Sequence, residues 1–411
     1  MNSPDSRLHH RSTADYSPLA GRTVLQIIPS LDAGGAERTT IDIAAALTDA
    51  GARALVASEG GRLISELQAR GGIWIPFPAA SKNPLRMYLS SRRLATLIEH
   101  EDIAIVHARS RAPAWVALGA ARKTGAAFVT TYHGAYSGST SLKKQYNAIM
   151  ARGDVVIANS KFTARRIANL NPEAKDHIRV IYRGTDLQIF NPGNVDASRV
   201  QRLRQEWGVE PDERVVLLAA RLTSWKGQRV LIEAARQLVQ GGTSGVKFVL
   251  AGDAQGRTGY VEELHRQIAD AGLEGIVICT GHCADMPAAF MASSVVTVPS
   301  TEPEAFGRSA VEAQAMGKPV VVSDLGAVPE TVLTPPFTPD NARTGWTVPP
   351  DDAVALAEAI RATLQLGAAA RDALAIRART HVERKFSLTQ MCVATLEAYS
   401  GLVAPTRTGL V

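Results

Sequence analysis

The chain has 411 residues, 45% hydrophobic and 20% charged, with a formal net charge of +6. That length is too great for one core and comfortable for two, and the balance of residue types is that of a soluble globular protein. Three cysteines, Cys279, Cys283 and Cys392, are too few for a disulfide framework, and the pair four positions apart has no companion ligands, so a reducing compartment is expected and a zinc site is not.

Met1 to Ser17 is polar with no apolar signal core, and no stretch approaches the ~20 apolar residues of a membrane span. Residues 1–18 are expected to form a disordered tail, and the expected location is the cytoplasm. The first strand is Val24–Ile28. It runs into Ser30-Leu31-Asp32-Ala33-Gly34-Gly35-Ala36-Glu37-Arg38 and a helix pattern from Thr39 to Ala50. Gly34 and Gly35 at a strand-to-helix turn let backbone approach a ligand, although tight-turn geometry alone also explains them. The pattern is not Gly-x-Gly-x-x-Gly, so a dinucleotide fingerprint is absent.

Further strands are expected at Ala54–Ala57, Ile73–Ile75, Ile103–Val106, Phe128–Thr131 and Val155–Ala158, with a helix at Leu85–His100. His107 and Arg109 follow the fourth strand. His133 follows the fifth, before a glycine, where a hydrogen-bonded turn histidine is also a fair reading. Strands alternating with helices imply a parallel, doubly wound sheet over residues 19–190. Asn191-Pro192-Gly193-Asn194 reads as a linker.

Residues 195–387 repeat the pattern, with strands at Val215–Ala219, Lys247–Leu250, Val277–Cys279, Val295–Val298 and Val320–Val322. The first of these ends in Arg221-Leu222-Thr223-Ser224-Trp225-Lys226-Gly227-Gln228. Arg221 and Lys226 thus bracket a loop at the carboxyl end of a strand, where open α/β sheets bind ligands. Two fixed cations there suit a diphosphate.

The fourth strand leads to Glu304-Ala305-Phe306-Gly307-Arg308-Ser309-Ala310-Val311-Glu312, with a helix starting near Gly307 and stopping at Gly317-Lys318-Pro319. Glu304 and Glu312 are expected near one face at different heights, and the N–H groups of Gly307, Arg308 and Ser309 suit a phosphate. Two hydroxyl-binding carboxylates beside a phosphate site are what a nucleotide sugar requires.

Arg221, Lys226 and the Glu304/Glu312 pair resemble the donor signature of the family 4 retaining glycosyltransferases, over about Val24 to Ser400. Within the family the chain resembles members of the lipopolysaccharide-core type. The resemblance implies a GT-B fold: two Rossmann-like doubly wound α/β domains facing a cleft, the second binding a nucleotide sugar and a helix at 388–404 returning to the first. It implies catalytic roles for Arg221, Lys226, Glu304 and His133. Donor contacts would come from Gly34, Gly35, Ala305, Phe306, Gly307, Arg308, Ser309 and Glu312, and His107 and Arg109 become acceptor-side candidates, with a structural role equally open for His107. Arg183 stands where many members carry asparagine, which leaves its role open. No Asp-x-Asp pair occurs, so no metal or other cofactor is expected.

Residues 1–190 hold 24 Lys and Arg against 15 Asp and Glu, a net of +9, while the remainder carries −3. No nucleic-acid motif accompanies the excess, and aromatics are only 5%. An acidic glycan or glycolipid acceptor, the anionic inner face of the cytoplasmic membrane, or a plain solvated surface each fits. The expectation is a retaining, metal-independent transferase acting on a cell-envelope glycan or lipid-linked acceptor. The alternatives are an epimerase or phosphorylase of the same fold, or a catalytically silent nucleotide-sugar binder.

Overall fold

The structure, a computed structural model, describes residues 17–32, 34–134 and 140–403. The tail expected over residues 1–18 lies outside them up to residue 16. Ser17–Leu19 form a short 3-10 turn with Leu19 wholly buried, so the fold takes hold slightly earlier than composition suggested. The chain divides into two compact units, one running to Gly184 and resuming at Leu388, the other spanning Thr185–Ser387. Asn191–Asn194 is therefore not the boundary. Thr185 donates its N–H to Phe386 O at 2.8 Å and bridges Ser387, and Phe190 packs on Phe290, which ties residues 185–190 into the second unit.

The first unit contains β1 (Thr23–Ile27), α1 (Gly35–Asp49), β2 (Arg53–Ser58), α2 (Ile64–Ala69), β3 (Ile73–Pro76), α3 (Pro84–His100) and β4 (Ile103–Ala108). It continues with α4 (Arg111–Thr124), β5 (Ala127–Tyr132), α5 (Ser141–Ala148), β6 (Val155–Ala158), α6 (Lys161–Leu170) and β7 (Ile178–Val180). Among the described residues its sheet is 7-stranded in the order β3-β2-β1-β4-β5-β6-β7, parallel throughout. Both faces are covered, so β1 is buried along its whole length and the apolar residues of this segment sort by period two. Leu25 and Ile27 enter one core, Val24 and Ile28 the other. The order reverses between β1 and β4, and such a reversal opens a crevice at the strands' carboxyl ends.

The second unit contains α7 (Ala197–Glu206), β8 (Arg214–Ala219), α8 (Gln228–Gln240), β9 (Val246–Ala251), α9 (Thr258–Asp270), β10 (Val277–Gly281) and α10 (Met286–Ala292). After these come β11 (Val295–Val298), α11 (Arg308–Ala315), β12 (Val320–Ser323), β13 (Gly345–Val348), α12 (Ala353–Leu364) and α13 (Ala368–Lys385). Its 6-stranded parallel sheet has the order β10-β9-β8-β11-β12-β13, with the reversal between β8 and β11. The last helix, α14 (Leu388–Ser400), lies in the first unit, where Met391, Cys392, Val393, Leu396 and Tyr399 are buried in the same core as α1. Among the described residues no single helix is long and apolar enough to cross a membrane.

Candidate active site

In the second unit the donor-type residues gather at the carboxyl ends of β8 and β11, the strands flanking the reversal. The loop after β8 turns through Gly227, whose φ is +79°; a Cβ there would lie 1.9 Å from Pro299 O. Only glycine permits that approach. Thr301 N donates to Trp225 O at 2.9 Å, so the loop after β8 is tied to the one after β11. The result is a direct ion pair, Lys226 Nζ to Glu304 Oε2 at 2.7 Å, with the side chains only 15% and 10% exposed. Lys226 also sits 4.4 Å from the Trp225 ring centroid. Ser300 donates its hydroxyl to the other Glu304 oxygen.

Behind Glu304 runs Gly326, whose φ is +68° and whose Cβ would meet Glu304 N and O at 2.7 Å; Ala327 N donates to Glu304 O at 2.9 Å. Glu304 is thus held from three sides. Arg221 starts the same loop as Lys226, its guanidinium exposed and donating to Gln255 Oε1 at 3.3 Å.

α11 begins at Arg308 with Gly307 as N-cap and no side-chain cap bond, which leaves its first N–H groups available to an anion. Glu304 precedes this helix, so helical periodicity does not relate it to Glu312 as the spacing suggested. Glu312 lies inside α11, only 8% exposed, and accepts from Arg308 Nη2 at 2.8 Å. Burial raises its pKa, and Arg308 opposes the rise.

Phe306 is buried, with its ring edge-on to Phe386 at 5.7 Å, so what it can offer a ligand is backbone; Ala305 beside it is half-buried. Ser309 donates its hydroxyl to Ala219 O at 2.7 Å, fastening the helix start to the end of β8.

In the first unit Gly34 is extended at φ −140° and caps α1 from the end of β1, with Gly35 the first helical residue. His107 does not face a ligand. It is wholly buried, with Nε2 2.7 Å from Thr131 Oγ1 on the neighbouring strand and Nδ1 on the Tyr399 hydroxyl, so both ring nitrogens are engaged and the second ties α14 to the sheet. That geometry removes it from the acceptor-side candidates. Burial, then the charges of Arg109 and His133, hold it well below the usual histidine pKa.

Arg109 is 3% exposed and donates through Nε to Gln26 Oε1 at 2.9 Å. His133 is half-buried; Arg183 Nη2 donates to its carbonyl at 2.9 Å and approaches its Nδ1 at 3.4 Å. A guanidinium donating to Nδ1 leaves the proton on Nε2. Burial, then Arg183 and Arg109, keep His133 neutral by lowering its pKa well below normal.

Arg183 and Asn159 were not singled out for roles by their sequence. Both stand just past a strand of the sheet: Asn159 directly after β6, Arg183 after β7. The strand-end rule that exposed Arg221 would have found Asn159. It could not find Arg183, because the three residues of β7 were too few to read as a strand.

The family model for "Glycosyltransferase Family 4" matches residues 33–189, and that for "Glycosyl transferases group 1" matches residues 213–365. A glycosyltransferase from Rickettsia africae is 33% identical, covering 94% of this chain and 100% of its own, with a TM-score of 0.84. The chain belongs to the family 4 glycosyltransferases. HepE of Anabaena, solved with UDP and glucose, is 27% identical over 92% of this chain and 100% of its own, with a TM-score of 0.77. The fold of this family 4 member is accordingly GT-B. A D-inositol 3-phosphate glycosyltransferase from Xylanimonas cellulosilytica is 31% identical over 259 residues, 61% of this chain but 58% of that protein. The chain spans about half the length of the curated relatives it matches. Among the described residues no group of three or more His, Cys, Asp or Glu could hold a metal ion.

Proposed function

We propose that this family 4 member is a retaining, metal-independent glycosyltransferase. It moves a sugar from a nucleotide sugar to a hydroxyl of a cell-envelope glycan or lipid-linked acceptor. The observation that carries the reading is the desolvated Lys226–Glu304 pair at the β8 and β11 ends, with Arg221 on the same loop and Glu312 buried behind the open start of α11. Arg221 and Lys226 neutralise the diphosphate, the α11 amides take a phosphate oxygen, Glu304 takes a hydroxyl of the transferred sugar, and Glu312 takes the ribose. For His133 and the Gly34–Gly35 turn of the first unit, a role towards the sugar is proposed from the family resemblance alone. HepE holds UDP and UDP-glucose, which favours a uridine donor here.

The chemistry follows from these roles. The bond from the anomeric carbon to the diphosphate oxygen breaks as the acceptor oxygen attacks on the same face, and the acceptor proton passes to that departing oxygen. Charge develops on the leaving group, so fixed cations and amides supply the largest stabilisation. Because no Asp-x-Asp pair is present, those cations stand in for a metal clamp.

A lipopolysaccharide-core acceptor rests on sequence resemblance, whereas several relatives are named for an inositol phosphate acceptor. We place the enzyme on the cytoplasmic side, docked peripherally on anionic lipid. α3 supports this by exposing Leu85, Tyr88 and Leu89 at 68%, 60% and 56% beside the exposed Arg86, Arg92 and Arg93.

The test is a panel of nucleotide sugars with and without excess EDTA, reading free nucleoside diphosphate and the anomeric configuration of the product. One donor should turn over in EDTA with retention. Inversion, or a loss of activity that magnesium or manganese restores, would contradict the mechanism. Donor binding with no turnover or slow hydrolysis would favour the silent binder.

A further inference from the structure

The first unit carries a small cavity beside His133 in which polar side chains face an apolar wall. It opens at the carboxyl ends of β4, β5, β6 and β7, with about 310 Å³ of empty space counting its mouth; Thr39, Arg109, Thr131, His133, Asn159 and Arg183 line it together with apolar side chains of β6, the β7 end and α14. Its enclosed floor has room for a water-sized oxygen.

Two features of this cavity are costly without a ligand. Asn159 is 2% exposed, and among the described residues neither its amide oxygen nor its amide nitrogen has a partner. A buried amide left so costs about 1–3 kcal/mol. Arg109 is a guanidinium 3% exposed whose hydrogen bonds go to the neutral Gln26 amide, and among the described residues it makes no ion pair. Asp42 acts on it from a distance, but that carboxylate is spent on Arg70 at 2.8 Å. Arg183 brings a second guanidinium to the same wall. A charge buried as deeply as that of Arg109 is ordinarily paired.

We propose that this cavity is an oxyanion subsite for the acceptor, taking a phosphoryl oxygen between Arg109, Arg183 and the Asn159 amide nitrogen. The Asn159 amide oxygen receives a hydroxyl of the same molecule. The acceptor class is thereby narrowed to phosphorylated polyols or sugars, free or lipid-linked. This rests on the glycosyltransferase reading for the word acceptor, but the subsite itself is tested without turnover.

The measurement is calorimetric titration of the full chain, saturated with nucleoside diphosphate to block the second unit. The probes are inorganic phosphate, glucose 6-phosphate and glucose, and the proteins are wild type, Asn159→Leu and Arg183→Gln. Wild type should bind both phosphates and not glucose. Asn159→Leu should lose at least tenfold in affinity while keeping its Tm, because Asn159 makes no hydrogen bond to lose. Arg183→Gln should also weaken both phosphates, and nucleoside diphosphate binding should be unchanged in both variants.

Phosphate binding unchanged in Asn159→Leu would overturn the subsite, as would a wild type that binds neither phosphate. Inorganic phosphate binding without glucose 6-phosphate binding would overturn the assignment to the acceptor. Failure of nucleoside diphosphate to bind, with phosphate binding intact, would instead overturn the glycosyltransferase reading alone.

Discussion

Glu312 and Glu304 are both carboxylates of one segment, yet their surroundings set them different tasks. Glu312 is buried within α11 with a raised pKa; its partner Arg308 is 57% exposed and returns little. A folded-state pKa above the unfolded one contributes stability below pH ~4.5 that is lost as pH rises through the folded value. At pH 7 the charged Glu312 is therefore a cost to the fold. Glu312→Gln should leave Tm at pH 7 equal or higher while weakening nucleoside diphosphate binding roughly tenfold, by loss of a bond of about 1–3 kcal/mol. A lower Tm with normal affinity would assign Glu312 a structural task.

Glu304→Gln should instead depress turnover and alter the choice of donor sugar, with nucleoside diphosphate affinity retained. Lys226→Ala removes a cation from the diphosphate and should cost ~1.5–3 kcal/mol, roughly tenfold or more in turnover. Near-normal turnover would show that the diphosphate lies elsewhere.

At the scale of elements, what the sequence made legible follows burial. Val155–Ala158 and Val295–Val298 were read to the residue because both are buried throughout and bounded by polar turns. The two strands missed, β7 and β13, lie at sheet edges, where one flank is unpaired and the apolar run is short or broken. The residues proposed to hold the donor could be grouped from the sequence because a strand end and a helix start fix them locally. His107 was not, because its partner Tyr399 is 292 positions away and no local pattern carries such a contact.

Two substitutions test these elements. Gly227→Ala forces a Cβ into Pro299 O from a backbone at φ +79°, so the β8 loop must move and carry Lys226 off Glu304. Turnover should fall at least as far as in Lys226→Ala, and normal turnover would show the loop to be pliable. Tyr399→Phe leaves His107 Nδ1 without its hydroxyl in a dry core. It should lower stability by about 1–3 kcal/mol in a urea titration.

At the scale of the whole molecule, buried neutral histidines set the acid limit. His107 and His133 are held well below the ordinary pKa by burial, and His381 is pushed down to about 4, also by burial first. The unfolded chain binds these protons below pH ~6.5 and the folded chain does not. Stability from these groups is thus present above that pH and lost as pH falls towards the folded values. The urea midpoint should be flat from pH 7 to 8 and fall from pH 6.5 downwards; a midpoint constant to pH 5 would contradict the assignment.

The central claim is that the second unit holds a nucleotide sugar on the β8 and β11 loops. Its most direct test is calorimetric titration of the full chain with UDP, GDP and ADP, alongside Lys226→Ala and Glu312→Gln. One nucleoside diphosphate, expected to be UDP, should bind wild type, and both variants should lose roughly tenfold or more in affinity. Binding of none of the three, or binding indifferent to both substitutions, would contradict the claim.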